Sequence, residues 1–336
     1  MTLKSILYLA IPGLIACSCG NDVLDVDASE VSVDIAFVNV DSTFVHSDSI
    51  SLLAAHKSFK NDISDIYALE LGQFIKVGDM PDSAVYPTIQ EFVNDDYIKR
   101  LEARIQDRFK DKSEIKTNIV DGFKHLKYHF TDVKTPSHVV FLNTLFQSSA
   151  SCTENEVGIG LELYLGNDER VVQELPPNEF HLWIKEAMDE QYIERDVLTA
   201  WIMSNVLEKE PGGVFAENMI HWGKILYAVE ASFPDMEKHK IIRYTAEDYQ
   251  WAQDNEFSFW DYLVNEKLLF KVDERTRMNM LSEGPFTPGL PEKGPDRLGQ
   301  YLGWQMVRRY NEEEGLDLPT LMALPYNEIL QSYEID

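Results

Sequence analysis

The chain has 336 residues, of which 44% are hydrophobic, so it is long enough to bury a full core and does not have the composition of a disordered protein. Its formal net charge is −27. This charge argues against nucleic-acid binding, which requires a basic surface, and against electrostatic adhesion to anionic lipid.

The N-terminus has the pattern of a secreted lipoprotein. Lys4 precedes an apolar run from Ile6 to Ile15, which is shorter than the roughly 20 residues that a membrane-spanning helix needs. The sequence Leu14-Ile15-Ala16-Cys17 resembles a bacterial lipobox, in which the cysteine becomes the lipidated first residue. Cys19 fits this pattern less well, because Cys17 and Ser18 precede it. We therefore predict that residues 1–16 are a signal peptide and that Cys17 carries the lipid.

The residues that follow Cys17 are expected to be a tether. Residues 17–30 are mostly short and acidic, and Ser18 at the second position of the mature chain favours transport to the outer membrane by resemblance to other lipoproteins. Lipidation leaves two thiols, Cys19 and Cys152. A bridge between them would tie the tether to a distant loop, so we expect no structural disulfide. We expect the lipid to be the only membrane anchor.

Residues 31–130 are predicted to form one strand followed by helices. Val31, Val33, Ile35 and Phe37 alternate with small or polar residues, which is typical of a half-buried strand. Apolar residues then recur at helical spacing in four segments, at residues 52–59, 63–75, 92–109 and 123–130.

The pattern changes after residue 138. An apolar run at residues 139–146 and an alternating run at 157–165 flank a polar segment, which predicts a hairpin. Helical spacing returns at residues 180–188, 193–207, 217–260 and 297–314. The expected fold is α+β, predominantly helical with a small antiparallel sheet. We assign residues 31–336 to one domain, with a helical N-terminal part to about residue 130 and a hairpin plus helical part at 131–336.

The segment Glu217–Trp260 has the strongest pattern and is predicted to contain two helices that meet at a corner. In the first helix, apolar residues recur every three or four positions, and Pro234 ends it. Gly223 interrupts this helix, and a glycine in a helix costs roughly 1 kcal/mol relative to alanine. We therefore expect another backbone to approach closely at Gly223. Thr245 is the predicted N-cap of the second helix.

Glu256 is the most unusual acid in the sequence. It lies four residues before Trp260, so helical spacing places its carboxylate on or beside an apolar face, where it needs a partner or a proton. We predict a buried pair with Arg297, and Lys224 and Arg308 are alternative partners. Such a pair fixes the helix register in a structural role; in a functional role, Glu256 is a ligand-binding or catalytic acid.

Known catalytic motifs are not found in the sequence. A hairpin followed by a helix is also how zincin metalloproteases begin, and their His-Glu-x-x-His positions fall on Trp201, Ile202 and Asn205, which cannot act as zinc ligands or as the base. The chain is therefore also consistent with a degenerate zincin-like fold. His125 and His129 have the spacing of two zinc ligands, but no third ligand is visible. We predict no catalytic residue and no cofactor.

Several runs resemble the gliding-motility lipoprotein GldB family of gliding Bacteroidota. They are MIHWGKILY, IIRYTAEDYQWAQDNE and GPDRLGQYLGWQMVRRY, and the similarity also includes FKHLKYHF, LELYLGND and ILQSY. It extends from about Asp121 to the C-terminus, with agreement in order and spacing.

The resemblance implies a lipoprotein on the periplasmic face of the outer membrane that is required for gliding motility and type IX secretion. Its implied partners are other envelope proteins of these systems, and it would act by contacts without catalysis. Two alternatives remain at this point: a zincin-like envelope hydrolase with an unrecognised active site, and a periplasmic ligand-binding lipoprotein.

Overall fold

The computed structural model describes residues 23–76, 82–207, 211–291 and 294–333. It confirms the predicted fold class, because helices predominate and the strands form one small sheet. The sheet has four strands in the order β1-β2-β4-β3: β1 Ala36–Asn39, β2 His138–Leu142, β3 Ala150–Cys152 and β4 Glu156–Gly160.

The sheet is mixed, and this corrects the predicted hairpin. The two apolar strands, β2 and β4, are neighbours but run parallel. The segment that was expected to be only a turn contains the short edge strand β3, which pairs antiparallel with β4. Because β3 reverses the chain once more, β4 returns in the direction of β2. Residues 161–164, predicted to continue the strand, form a 3₁₀-helix.

In the described residues, six α-helices and one π-helix precede β2. β1 is parallel to β2 and begins five residues later than the predicted strand. Asp48 and Asp95 cap the second and fifth helices through bonds from backbone amides to their carboxylates. The helices are α1 Val40–His46, α2 Ser49–Asp62, α3 Ser64–Leu69, α4 Asp82–Asn94, α5 Asp96–Arg108 and α6 Ser113–His129, and a π-helix at Glu70–Phe74 follows α3.

The central strand β2 separates two hydrophobic cores. Val139 and Phe141 face the larger core, whereas Val140 and Leu142 face a smaller core formed mainly with α1–α4. Four consecutive residues of this strand are buried, as expected for a parallel strand covered on both faces. The sheet is therefore the middle layer of the fold.

Eleven helices follow the sheet in the described chain. Their bounds are α7 Arg170–Gln173, α8 Leu182–Glu186, α9 Ile193–Trp201, α10 Phe215–Ser232, α11 Lys238–Ile241, α12 Ala246–Asp254, α13 Glu256–Asn265, α14 Glu274–Leu281, α15 Leu298–Glu314, α16 Leu318–Ala323 and α17 Tyr326–Ser332. A π-helix at Ile202–Val206 follows α9.

α10 is the central helix of the larger core, and 15 of its 18 residues are buried. It crosses α15 where two glycines face each other's helix. A Cβ atom added to Gly223 would lie 2.2 Å from the carbonyl oxygen of Gly303, and one added to Gly303 would lie 2.0 Å from that of Met219. The close backbone approach predicted at Gly223 is therefore confirmed.

The segment from Thr245 to Trp260, which was predicted to be one helix, contains α12 and the first part of α13. Thr245 is the N-cap as expected, because its hydroxyl accepts a bond from the amide of Asp248 at 3.0 Å. The helix then breaks at Asn255, whose side-chain amide donates to the carbonyl of Trp251 at 2.8 Å. Glu256 therefore begins α13.

Cys17 and the predicted signal peptide lie outside the described residues. Two residues of the described part of the predicted tether, Leu24 and Ala28, are buried, and Leu24 belongs to the larger core. In the described ranges, no helix combines the length and the apolar character needed to cross a bilayer.

Candidate functional site

A cavity of about 490 Å³ lies between α9, α10, α14 and α15. Its polar lining includes three arginines, from α9, from α14 and from the start of α15. The side chains used below are Arg195, Thr199, Trp222, Arg277, Arg297 and Gln300. In a chain with an excess of 27 negative charges, a cavity lined by cations is the most distinctive polar feature of the fold.

Arg195 is buried and held by the next residue in the chain. Its Nη1 donates to Asp196 Oδ1 at 2.7 Å, and its Nε donates to the carbonyl of Ile241 at 2.8 Å. Asp196 also accepts from Arg243 Nη1 at 3.1 Å and from the hydroxyl of Tyr164 at 2.9 Å. One carboxylate therefore fixes two guanidinium groups.

Arg297 is held in a similar way from the other side of the cavity. Its Nε donates to Asp296 Oδ1 at 3.0 Å, and its Nη2 donates to the carbonyl of Arg243 at 3.2 Å. The guanidinium carbon lies 5.5 Å from the ring centroid of Tyr244. The nearest additional carboxylate is Glu283 Oε1, at 3.6 Å from Nη1.

The backbone is strained at two of these arginines. Arg243 has φ = 57° and Arg297 has φ = 49°, both in the left-handed region that non-glycine residues rarely adopt. Such residues persist only where surrounding contacts hold them, and they are concentrated at functional sites. Here the hydrogen bond between the two residues connects the strained positions directly.

Glu256 is buried as predicted, but its partners are different from those expected. Oε1 accepts from the hydroxyl of Tyr333 at 2.6 Å and from Arg309 Nη2 at 2.6 Å, and Oε2 accepts from the hydroxyl of Tyr301 at 2.9 Å. The predicted pair with Arg297 is wrong, because Arg297 is bound to Asp296. This geometry favours the structural role of Glu256.

The two alternative partners of Glu256 are also engaged elsewhere. Lys224 donates to the carbonyls of Met322 and Leu324, at 2.9 and 2.6 Å. Arg308 Nε lies 3.2 Å from Glu230 Oε1. Helical spacing placed Glu256 on a buried face but could not identify a partner 45 or 77 residues away in the chain.

Glu256→Gln is expected to destabilise the fold by about 1–2 kcal/mol, since two buried tyrosine hydroxyls lose a charged acceptor. Thermal melting of the variant measures this loss. Glu266→Gln, at the exposed end of the same helix, is the control and should melt like the wild type. Unchanged melting of Glu256→Gln together with lost motility would contradict the structural role and make Glu256 a site residue.

His125 and His129 both lie on α6, but no third ligand joins them. His125 Nδ1 is 2.9 Å from the carbonyl oxygen of Asp121. His129 is partly buried, and desolvation lowers its pKa to about 4. Over the described ranges, no group of three His, Cys, Asp or Glu side chains has a geometry that could hold a metal ion. The described residues therefore place no third metal ligand beside His125 and His129.

Trp201, Ile202 and Asn205 lie where α9 passes into its π-helix. Trp201 is buried, and its indole Nε1 donates to the carbonyl of Lys134 at 3.0 Å. Ile202 is buried, and Asn205 Nδ2 donates to the carbonyl of Thr153 at 3.3 Å. These three side chains pack the helix against neighbouring segments. A relationship to zincins stays a prediction.

A second group of buried polar residues lies where the three parallel strands finish. It contains four carboxylic acids, Asp41, Glu70, Glu102 and Glu162. Glu162 Oε1 accepts from the backbone amides of Thr144 and Phe146, at 2.7 and 3.1 Å. Among the described residues no N–H or hydroxyl group donates to Glu70, and its partner is the carboxyl group of Asp41, to which it can be hydrogen-bonded only when one of the two carries a proton.

Burial dominates the protonation of these four acids. Desolvation raises the pKa of Glu70 to about 8 and that of Asp41 well above its usual value. The carboxyl groups of Glu102 and Glu162 oppose ionisation of both residues further, whereas a hydrogen bond from Asp41 favours the ionised form of Glu70. Desolvation also raises the pKa values of Glu102 and Glu162. We conclude that the pair Asp41 and Glu70 holds at least one proton at neutral pH.

Sequence reasoning missed most of the cavity and all of the acid cluster. A signal for the cavity exists: Arg195 and Asp196 belong to a charged run, Glu194–Asp196, at the start of a buried helix, and Arg243 follows two isoleucines. Arginines with apolar neighbours are noticeable in an acidic chain with only 30 Lys and Arg residues. Asp41, Glu70 and Glu162 are separated by long stretches of sequence, so their proximity has no local signal.

Comparison with known proteins gives one match. A family model described as gliding motility protein GldB matches residues 21–334. Searches of curated proteins and of solved structures give no match.

Proposed function

Since the chain belongs to the GldB family of gliding motility proteins, with a match that covers nearly its whole length, we propose that it is a lipid-anchored envelope component required for gliding motility and for type IX secretion. It acts by contacts with other envelope proteins of these systems and not by catalysis. The single observation that carries this proposal is the family match over residues 21–334.

The extent of the match supports the location in the envelope. The matched region begins four residues after Cys17, the cysteine of the lipobox-like sequence, and therefore coincides with the part of the chain expected to remain after processing. We propose that Cys17 carries the lipid on the periplasmic face of the outer membrane. Because Leu24 packs into the larger core, the folded body would then lie within a few residues of the bilayer.

The arrangement of charged groups agrees with a role without catalysis. The buried Glu256 is satisfied by two tyrosines and an arginine, which leaves it no position for proton transfer to a substrate. Arg195 and Arg297 are rigidly held, and guanidinium groups bind anions but do not exchange protons near neutral pH. Binding is therefore the chemistry that these side chains support.

We expect deletion of the gene to abolish colony spreading and to reduce the amount of secreted protein. Wild-type protein and the Cys19→Ala variant should restore both and should incorporate labelled palmitate. Cys17→Ala should restore neither and remain unlabelled, since the lipid would be the only anchor. Spreading and secretion that persist without the gene would refute the proposed function, and labelling of Cys17→Ala would refute the assigned anchor.

A further inference from the structure

The cavity between α9, α10, α14 and α15 has an excess of positive charge in its wall. Three guanidinium groups, those of Arg195, Arg243 and Arg297, are bound to two buried carboxylates, Asp196 and Asp296. Arg277, Glu274 and Glu283 also line the cavity, so its wall itself contains three guanidinium groups and two carboxylates. Desolvation lowers the pKa of Arg195, and Arg243 and Arg297 lower it further. A bound anion would offset this cost.

The cations that face the cavity retain donors for a ligand. The hydrogen bonds of Arg195 use Nε and Nη1, and its Nη2 has no partner in the described part of the chain. Arg297 Nη1 lies 3.6 Å from Glu283 Oε1, which is close enough for an ion pair but longer than a hydrogen bond. Glu283 is 57% exposed, so its side chain can move away. Arg277 pairs with Glu274, which is 69% exposed.

The rest of the cavity wall is mixed: Thr199, Glu274, Ser282, Glu283 and Gln300 are polar, and three side chains are apolar. Trp222, Met278 and Leu281 lie beside the arginines. Met278 also lines an adjoining cavity of about 580 Å³, whose walls include Trp183 and Phe286. Cavities of a few hundred cubic ångströms with apolar walls and a few fixed polar groups are typical small-molecule sites.

We propose that this cavity binds a monovalent carboxylate that carries an apolar or aromatic group. Planar guanidinium groups match the geometry of a carboxylate with two parallel hydrogen bonds. A ligand carboxylate brings one negative charge beside Glu274 and Glu283, which line the same cavity, whereas a phosphate monoester brings roughly −1.5 to −2 at neutral pH and would be repelled more strongly by these two carboxylates. The apolar part of the ligand would lie against Trp222 and Met278. The site goes beyond the proposed function, which requires no small ligand.

Titration calorimetry of the full chain in non-ionic detergent tests this site with N-acetylphenylalanine, with a micelle blank subtracted. We expect binding that weakens at least about tenfold for the neutral N-acetylphenylalaninamide, as for one lost charged hydrogen bond. Arg277→Gln should weaken binding of the acid by about tenfold. The matched control is Arg170→Gln, because Arg170 also pairs with a glutamate on its own helix but lies outside the cavity. It should bind like the wild type.

Four results would overturn the assignment: no binding of the acid, equal binding of acid and amide, an Arg277→Gln variant that binds like the wild type, or tighter binding of inorganic phosphate. Near-ultraviolet circular dichroism establishes that Arg277→Gln is folded, which is expected because this side chain is 23% exposed at the cavity edge. These measurements need no motile cells, so their failure is separate from failure of the proposed function.

Discussion

Gly223→Ala is expected to destabilise the protein by about 3 kcal/mol or more, at the upper end of overpacking effects. The added methyl group would lie 2.2 Å from a backbone carbonyl oxygen of α15, and no side chain can move to relieve the contact. α10 and α15 would have to separate, and both contribute many residues to the larger core. Urea unfolding of the full chain followed by circular dichroism measures the loss.

Gly72→Ala is the matched control for this prediction. Gly72 is exposed in the π-helix at Glu70–Phe74, and a Cβ atom there would have no neighbour within 4 Å. The substitution should be neutral or stabilise by up to about 1 kcal/mol. Gly223→Ala and Gly303→Ala affect the same crossing, so the double variant should lose less than the sum of the two. A Gly223→Ala variant as stable as Gly72→Ala would show that the helices do not cross this closely.

The sequence was informative wherever the determining contact is local. The apolar spacing of α10 predicted a buried helix, and the cost of a glycine within that helix predicted the close approach at Gly223. Thr245 was predicted as the N-cap of the next long helix, which is α12. Each of these arguments depends on residues within one or two turns. The main helical regions and the fold class were predicted for the same reason.

The sheet and the sites depend on contacts that are distant in sequence. An apolar run identified β2 and alternation identified β4, but neither pattern could show that β3 separates the two strands along the chain and makes them parallel. Glu256 was recognised as buried, while Tyr301, Arg309 and Tyr333 were not, because hydrophobic periodicity contains no information on cross-helix partners. The break at Asn255 was missed since α12 and α13 continue one apolar pattern.

The two buried charge systems have different consequences for function. The arginines around Asp196 and Asp296 stay charged at every physiological pH, so the cavity that they line keeps its preference for anions. The pair Asp41 and Glu70 at the ends of the parallel strands responds to pH instead, because burial raises the pKa of both carboxyl groups. The stability of the smaller core should therefore depend on pH through Glu70 and Asp41.

Glu70→Gln is expected to stabilise the protein at pH 9 and to change its stability little at pH 5. Burial raises the pKa of Glu70 from 4.5 to about 8. The folded state therefore holds a proton that the unfolded state releases, and this contribution to stability is complete below pH 4.5 and lost as the pH rises through 8. Glutamine has no proton to lose, so the variant should show a smaller fall in stability over this interval.

The free energy of unfolding, measured in urea at pH 5, 7 and 9, tests this prediction. One pKa unit corresponds to about 1.4 kcal/mol, and Asp41 continues to titrate in the variant, so we expect a gain of about 2 kcal/mol at pH 9. Glu91→Gln on the exposed side of α4 removes the same formal charge from the same layer and should leave the pH dependence unchanged. Parallel pH profiles for wild type and Glu70→Gln would mean that Glu70 is already ionised in the folded protein at neutral pH.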